Sequence, residues 1–267
     1  MLFCDLNLAR RLERAEGLSA ARFVEARAKA VPESGAEWKT VGGAYALFDK
    51  PASPVTQTFG LGMFETATAE MLDEIEAFFA QRQAPVYHEV CPLAGVELFA
   101  LLAERGYKPV ELSSVMFRPL DAASQNKSAV RTRQIQAGEN QLWVEVAGAG
   151  WSATPGIKDF FDDLGRINEH RKESADFFGE LEGFAKPIAT ASLSLSNNVA
   201  HMAGASTVPE ARGLGAQNAL LAARLNYAIE RGCDLAMMAA EPGGESQRNA
   251  ERNGFRIAYT RVKWGKV

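Results

Sequence analysis

The chain has 267 residues, 47% hydrophobic and 23% charged, enough for one large or two small domains with apolar cores. A formal net charge of −4 argues against a nucleic-acid protein, which would show a basic face. No apolar run approaches the ~18 residues of a membrane span, so neither a nucleic-acid nor a membrane partner is expected.

Cys4, Cys91 and Cys233 are odd in number and widely spaced, which fits reduced thiols better than disulfides. The first residues, Met1-Leu2-Phe3-Cys4-Asp5, carry neither a basic region nor a long apolar stretch, and a cytoplasmic location is expected. His88, His170 and His201 are the only histidines, with no paired-cysteine or His-x-x-x-His spacing, so no metal site is expected.

In chain order, residues 69–82 place Leu72, Ile75 and Phe79 on one face and predict a helix. Residues 86–90 predict a short strand, and Gly106-Tyr107 leads into another that ends near Phe117. Residues 121–128 are small, polar and without periodicity, a linker. Strand 130–136 follows, then a helix over 140–150 and a second, amphipathic one over 157–170 through Phe160, Phe161, Leu164 and Ile167. Residues 176–181 and 187–196 read as a hairpin, and Asn197-Asn198 turns into strand 199–208. Helix 217–230, stopped by Gly232, precedes strand 234–240, helix 245–253, Gly254-Phe255 and strand 256–264.

The segment with the most chemical content is Thr207-Val208-Pro209-Glu210-Ala211-Arg212-Gly213-Leu214-Gly215-Ala216-Gln217. It runs from a strand end through a glycine turn into a helix. A helix start leaves N–H groups unpaired and turns its positive end outward, which suits a phosphate. A Walker loop needs Lys-Ser or Lys-Thr where Ala216-Gln217 stands, and a dinucleotide fingerprint needs a small residue where Asn218 stands. Arg212-x-x-Gly215, with the elements after it, resembles the coenzyme A pyrophosphate loop of the GNAT acetyltransferase superfamily. Arg212 and Gly215 match that pattern; Gln217 replaces its final small residue. The plainer reading is a helix-capping turn.

A shift of 148 residues lays Gly106 on Gly254, strand 86–90 on 234–238 and helix 69–82 on 217–230. One offset held over nearly 70 residues suggests two copies of one fold. The expected fold class is therefore α/β (α+β mixed sheet), as two tandem GNAT-like domains. These are a degenerate copy over 1–120, a linker over 121–129 and a copy with the CoA loop over 130–267. Gln57-Thr58-Phe59-Gly60-Leu61-Gly62 also satisfies a CoA-loop pattern. Under the offset, however, Phe64, Glu65 and Ala67 lie opposite Arg212, Gly213 and Gly215. Gly60 and Gly62 are thus expected to be strand glycines at a close backbone approach.

The resemblance implies acetyl-CoA as co-substrate and direct attack by an amine, of a small molecule or a peptide, in a ternary complex. It implies that Gly213, Leu214, Gly215, Ala216 and Gln217 offer N–H groups to the pyrophosphate with Arg212 nearby. Backbone groups of Ser206, Thr207 and Val208 would hold the pantetheine arm, and Ser246 and Asn249 would contact it. Many members carry a general-acid Tyr where Ala250 stands here. Tyr259, His201, Glu180, Glu182 and Glu241 are alternatives, each with an ordinary structural explanation, and no catalytic residue is assigned. A non-catalytic acyl-CoA-binding protein and a nucleotide-binding α/β protein stay open, as does assembly as a homodimer.

Overall fold

The computed structural model describes residues 3–51, 53–125, 128–152 and 158–266. In chain order the elements are α1 (Leu6–Ala30), β1 (Glu37–Val41), β2 (Ala44–Phe48), β3 (Gln57–Phe59), α2 (Ala69–Ala80), β4 (Tyr87–Val90), α3 (Val96–Glu104) and β5 (Lys108–Pro119). Then follow β6 (Arg131–Gln134), α4 (Asn140–Gly150), α5 (Lys158–Phe161), α6 (Leu164–His170), β7 (Ser174–Glu180), β8 (Ala189–Ser196) and β9 (Val199–Thr207). The last are α7 (Ala216–Glu230), β10 (Leu235–Ala240), α8 (Glu245–Arg252) and β11 (Arg256–Gly265). No helix among the described residues is long and apolar enough to cross a membrane.

The chain forms two compact units, Met1–Phe117 with Ala239–Val267, and Arg118–Met238. This differs from the single cut at 121–129 and the continuous second domain over 130–267 expected from the sequence: α8 and β11 belong with the first unit. There β11 runs antiparallel to both β4 and β5 and lies between them.

The first unit explains why β11 goes there. All five residues of β2 are buried, and their alternation serves two cores. Ala44, Ala46 and Phe48 join Leu72, Ile75, Phe79, Leu98 and Leu102 of α2 and α3, whereas Tyr45 and Leu47 join Ala21 and Val24 of α1. On β11, Arg261 donates to both carboxylate oxygens of Glu16 on α1 (2.8 and 3.0 Å) and to Glu89 on β4 (2.9 Å). The Tyr259 hydroxyl donates to Glu13 at 2.7 Å. Lys263 pairs with Glu89 and Glu111. The buried groups of β11 find their partners on α1 and β4.

Three carboxyls therefore crowd one guanidinium, and Glu13 is the surplus acid. Its Oε2 is buried without a hydrogen-bond partner among the described residues. Burial pushes its carboxyl up to about 7 against the pull of Arg261. Below pH ~4.5 the group is protonated in the folded and unfolded chain alike, and its contribution to stability is fully present. As pH rises, the unfolded chain releases the proton first, and the contribution is gone above about pH 7. Across that window the wild type should lose up to about 3 kcal/mol relative to Glu13→Gln. Denaturant titrations of both proteins at pH 5 and pH 8 check this, and a gap that does not change with pH would contradict it.

In the second unit the strand order is β10-β9-β8-β7-β6, with β10 and β9 parallel and the other pairs antiparallel. α7 packs on β6 to β9, while α4 packs on β8 and β9 and against α6. The expected helix over 157–170 is two helices, α5 and α6, interrupted at Asp162-Asp163; Ile157 lies outside the described residues. Short acidic side chains favour helix ends over interiors, and Asp163 accepts from Arg166 on the next turn.

Gly60 and Gly62 are not strand glycines. β3 ends at Phe59, and both adopt left-handed backbone (φ 76° and 75°) in the turn that follows. That turn is closed by Met63 N–H donating to Gly60 at 3.1 Å and by Arg10 donating to the Met63 carbonyl at 2.5 Å.

Candidate functional site

The second unit places the strand end, the turn and the start of α7 together. Val208 leaves β9, residues 209–211 form one 3-10 turn, and Gly215 stands at the N-cap of α7 with φ 84°. Gly213 is also left-handed at φ 80° and has open space where a side chain would be. A side chain at Gly215 would place its Cβ 2.9 Å from that of Ser128, so the turn tolerates only glycine there.

No side chain caps α7, and its first turn carries no acidic residue. The N–H groups of Gly213, Gly215, Ala216 and Gln217 have no hydrogen-bond acceptor among the described residues. Open N–H groups at the positive end of a 15-residue helix favour a negative charge there. Helix α2, which begins at nearly the same place under the 148-residue offset, is closed. There the Thr68 hydroxyl accepts from Met71 N–H at 3.3 Å. Glu70 occupies the first turn, its carboxyl held below the usual range by its own backbone N–H and by Thr68.

Each expected ligand-contacting residue has a defined place. The exposed Arg212 reaches across to the carbonyl of Gly150 at 3.0 Å, at the end of α4. Leu214 is exposed, and Ala216 is buried under the helix start. Gln217 donates to the Ser206 carbonyl at 2.7 Å and to the Thr207 hydroxyl at 2.8 Å. The longer side chain at that position thus ties the helix start to the strand end and leaves its own N–H outward. The Ser206 hydroxyl donates to Ala147 at 3.1 Å. The Val208 N–H donates to the Ile188 carbonyl (2.9 Å), and its carbonyl accepts from Ala211 N–H (3.0 Å). Ser246 and Asn249 lie on α8, in the first unit, whereas residues 206–217 belong to the second.

Of the acid–base candidates, Tyr259 and Glu180 are committed to partners. Tyr259 is buried and bonded to Glu13, and its hydroxyl is held well above its ordinary range by burial and by that carboxyl. His201 lies mid-strand, between Ser194 and Met237. Glu180 pairs with Arg133 at 2.8 Å, Glu182 lines a cleft beside the β7–β8 turn, and Glu241 is exposed. Ala250 is fully buried. Among the described residues no cluster of His, Cys, Asp and Glu could hold a metal ion.

Two features of the site went unread in the sequence. Gly150 packs so tightly on β9 that a Cβ there would lie 2.4 Å from the Ser206 hydroxyl. Gly204 (φ 60°) stands in a bulge where β8 partners pass from Ser206 to Ala203 while β8 advances only from Thr190 to Ser192. Both are glycines inside elements, which was the available signal.

The solved structures that this chain resembles share one fold. A GCN5-related N-acetyltransferase from Kribbella flavida superposes with a TM-score of 0.65 at 20% identity, over 92% of this chain and 95% of that one. One from Sphaerobacter thermophilus gives 0.61 at 16% identity, over 79% and 71%. A tandem GNAT protein from the clavulanic acid biosynthesis pathway gives 0.55 at 12% identity, over 82% and 72%. No family model matches the chain, and no curated protein does. The chain thus has the mixed α/β fold of the GCN5-related N-acetyltransferases.

Proposed function

We propose that this protein is an acetyl-CoA-dependent N-acetyltransferase that transfers acetyl directly to a primary amine of a small molecule or peptide. The observation that carries the reading is the uncapped, carboxylate-free start of α7 behind Gly213 and Gly215, on a chain with this fold. The N–H groups of Gly213, Gly215, Ala216 and Gln217 would receive the pyrophosphate, with Arg212 turning from the Gly150 carbonyl to a phosphate oxygen. The strand end at Ser206-Thr207-Val208 would meet the pantetheine arm, Val208 through its carbonyl, since its N–H is bonded to Ile188. Ser246 and Asn249 stay proposed arm contacts, on the strength of the family resemblance alone.

In the transfer the amine nitrogen bonds to the thioester carbon and the carbon–sulfur bond breaks. The ammonium proton leaves and the thiolate takes one up. With Ala250 at the usual acid position and Tyr259 committed to Glu13, we assign both proton movements to solvent. Cys91 and Cys233 are buried free thiols and Cys4 is a half-buried one, which fits a reducing, cytoplasmic setting.

Thiol release from acetyl-CoA across a panel of primary amines is the direct test. Amine-dependent turnover is expected; CoA binding without turnover on any amine would reduce the protein to a binder. Arg212→Ala should weaken CoA by about 10- to 100-fold, the worth of a charged hydrogen bond, and a calorimetric titration reads this. Equal affinity would remove Arg212 from the site.

A further inference from the structure

We propose that Arg224 is a positioning residue: it fixes the β9 bulge and so aims the strand end that holds the pantetheine arm. This rests on the CoA-binding reading above. Arg224 lies on the inner face of α7, only 3% exposed, among Leu220, Leu221, Leu225 and Ala228. No carboxylate pairs with it among the described residues, and burial lowers its guanidinium to about 10. A lone buried cation is costly, so such a side chain is retained where backbone groups need its donors.

Those groups are at the bulge. One guanidinium nitrogen donates to the Ser192 carbonyl on β8 at 3.0 Å and to the Ala203 carbonyl on β9 at 3.3 Å. Nε closes on Leu220 in its own helix at 3.2 Å. Ser192 and Ala203 are the register partners at one edge of the irregularity, with Gly204 next in line. A bulge disrupts the ladder and bends its strand, and here the guanidinium donates to one carbonyl on each of the two strands beside it. The ladder between β9 and β10 runs only from Val199/Leu235 to His201/Met237, while β9 continues to Thr207. The bend therefore comes just after β9 loses its partner on that side, and it sets the direction of Ser206 and Thr207. The phosphate turn follows later in the chain, is shaped by Gly213 and Gly215 at the helix start, and meets the strand end through the Gln217 side chain.

This separation gives the test. Acetyl-CoA and adenosine 3′-phosphate 5′-diphosphate, which keeps the pyrophosphate and lacks the arm, are titrated into wild type, Arg224→Met, Arg224→Lys and Gly204→Val. Wild type should bind both. In Arg224→Met and Gly204→Val the acetyl-CoA affinity should fall about tenfold or more, with fragment affinity within about twofold of wild type. Arg224→Lys, which keeps a donor, should recover part of the loss. Equal losses for both ligands would mark a purely structural role, and no loss for either would also overturn the proposal. Gly204→Val reaches the bulge without removing a buried charge, so it keeps the test open should Arg224→Met not fold. A wild type that binds neither ligand would instead overturn the CoA reading itself.

Discussion

Replacing Gly215 with valine should abolish CoA binding while the chain stays folded. The residue sits at φ 84°, a region that a β-branched side chain enters at a cost of about 1–3 kcal/mol. Its Cβ would press on that of Ser128 at 2.9 Å, at the turn proposed to receive the pyrophosphate. The strain is small against the ~5–15 kcal/mol stability of an ordinary domain, so far-UV circular dichroism should keep its helical signal. The thermal shift that millimolar CoA gives the wild type should vanish. Gly213→Ala is the graded companion: a Cβ there meets nothing within 4 Å, which leaves only the left-handed backbone term of about 1–2 kcal/mol. A valine variant that binds CoA as the wild type does would contradict the loop assignment.

The largest effect on stability should come from Arg261→Met. Arg261 is 2% exposed and is held protonated, burial notwithstanding, by Glu16, Glu13 and Glu89. Methionine would fill much of the volume and leave those carboxylates facing an apolar side chain. Removing one partner of a buried ionic cluster costs about 3–5 kcal/mol, and denaturant unfolding at pH 8 would measure it. The loss should shrink at acid pH, because Glu13, pushed up to about 7 by burial, is then protonated and no longer needs a counter-charge. A loss that is the same at pH 5 and pH 8 would mean that packing, not charge, holds β11 between β4 and β5.

Much of the C-terminal half of the chain was legible because its elements have strong local signals. The helix over 140–150 and the run from α7 to β11 follow apolar periodicity punctuated by Gly and Pro, and the 148-residue shift recurs in the starts of β4 and β10 and of β5 and β11. The destination of β11 was not legible. Its pairing is chosen by contacts such as Arg261 with Glu89 and Glu16, 172 and 245 residues away, which no local pattern encodes. Helix α1, 25 residues long, escaped notice because Glu13, Glu16 and Arg27 interrupt its buried stripe. The same disguise hid Arg224, a charged residue on a buried face. At the site, the turn itself could be read from Gly213 and Gly215, whereas the closing of α2 by Thr68 shows only in three dimensions.

That contrast between an open α7 and a capped α2 makes the central claim countable. Calorimetric titration of CoA into the wild-type chain should give one site per chain, abolished by Gly215→Val. No heat at millimolar CoA, or two equivalents bound per chain, would contradict the account.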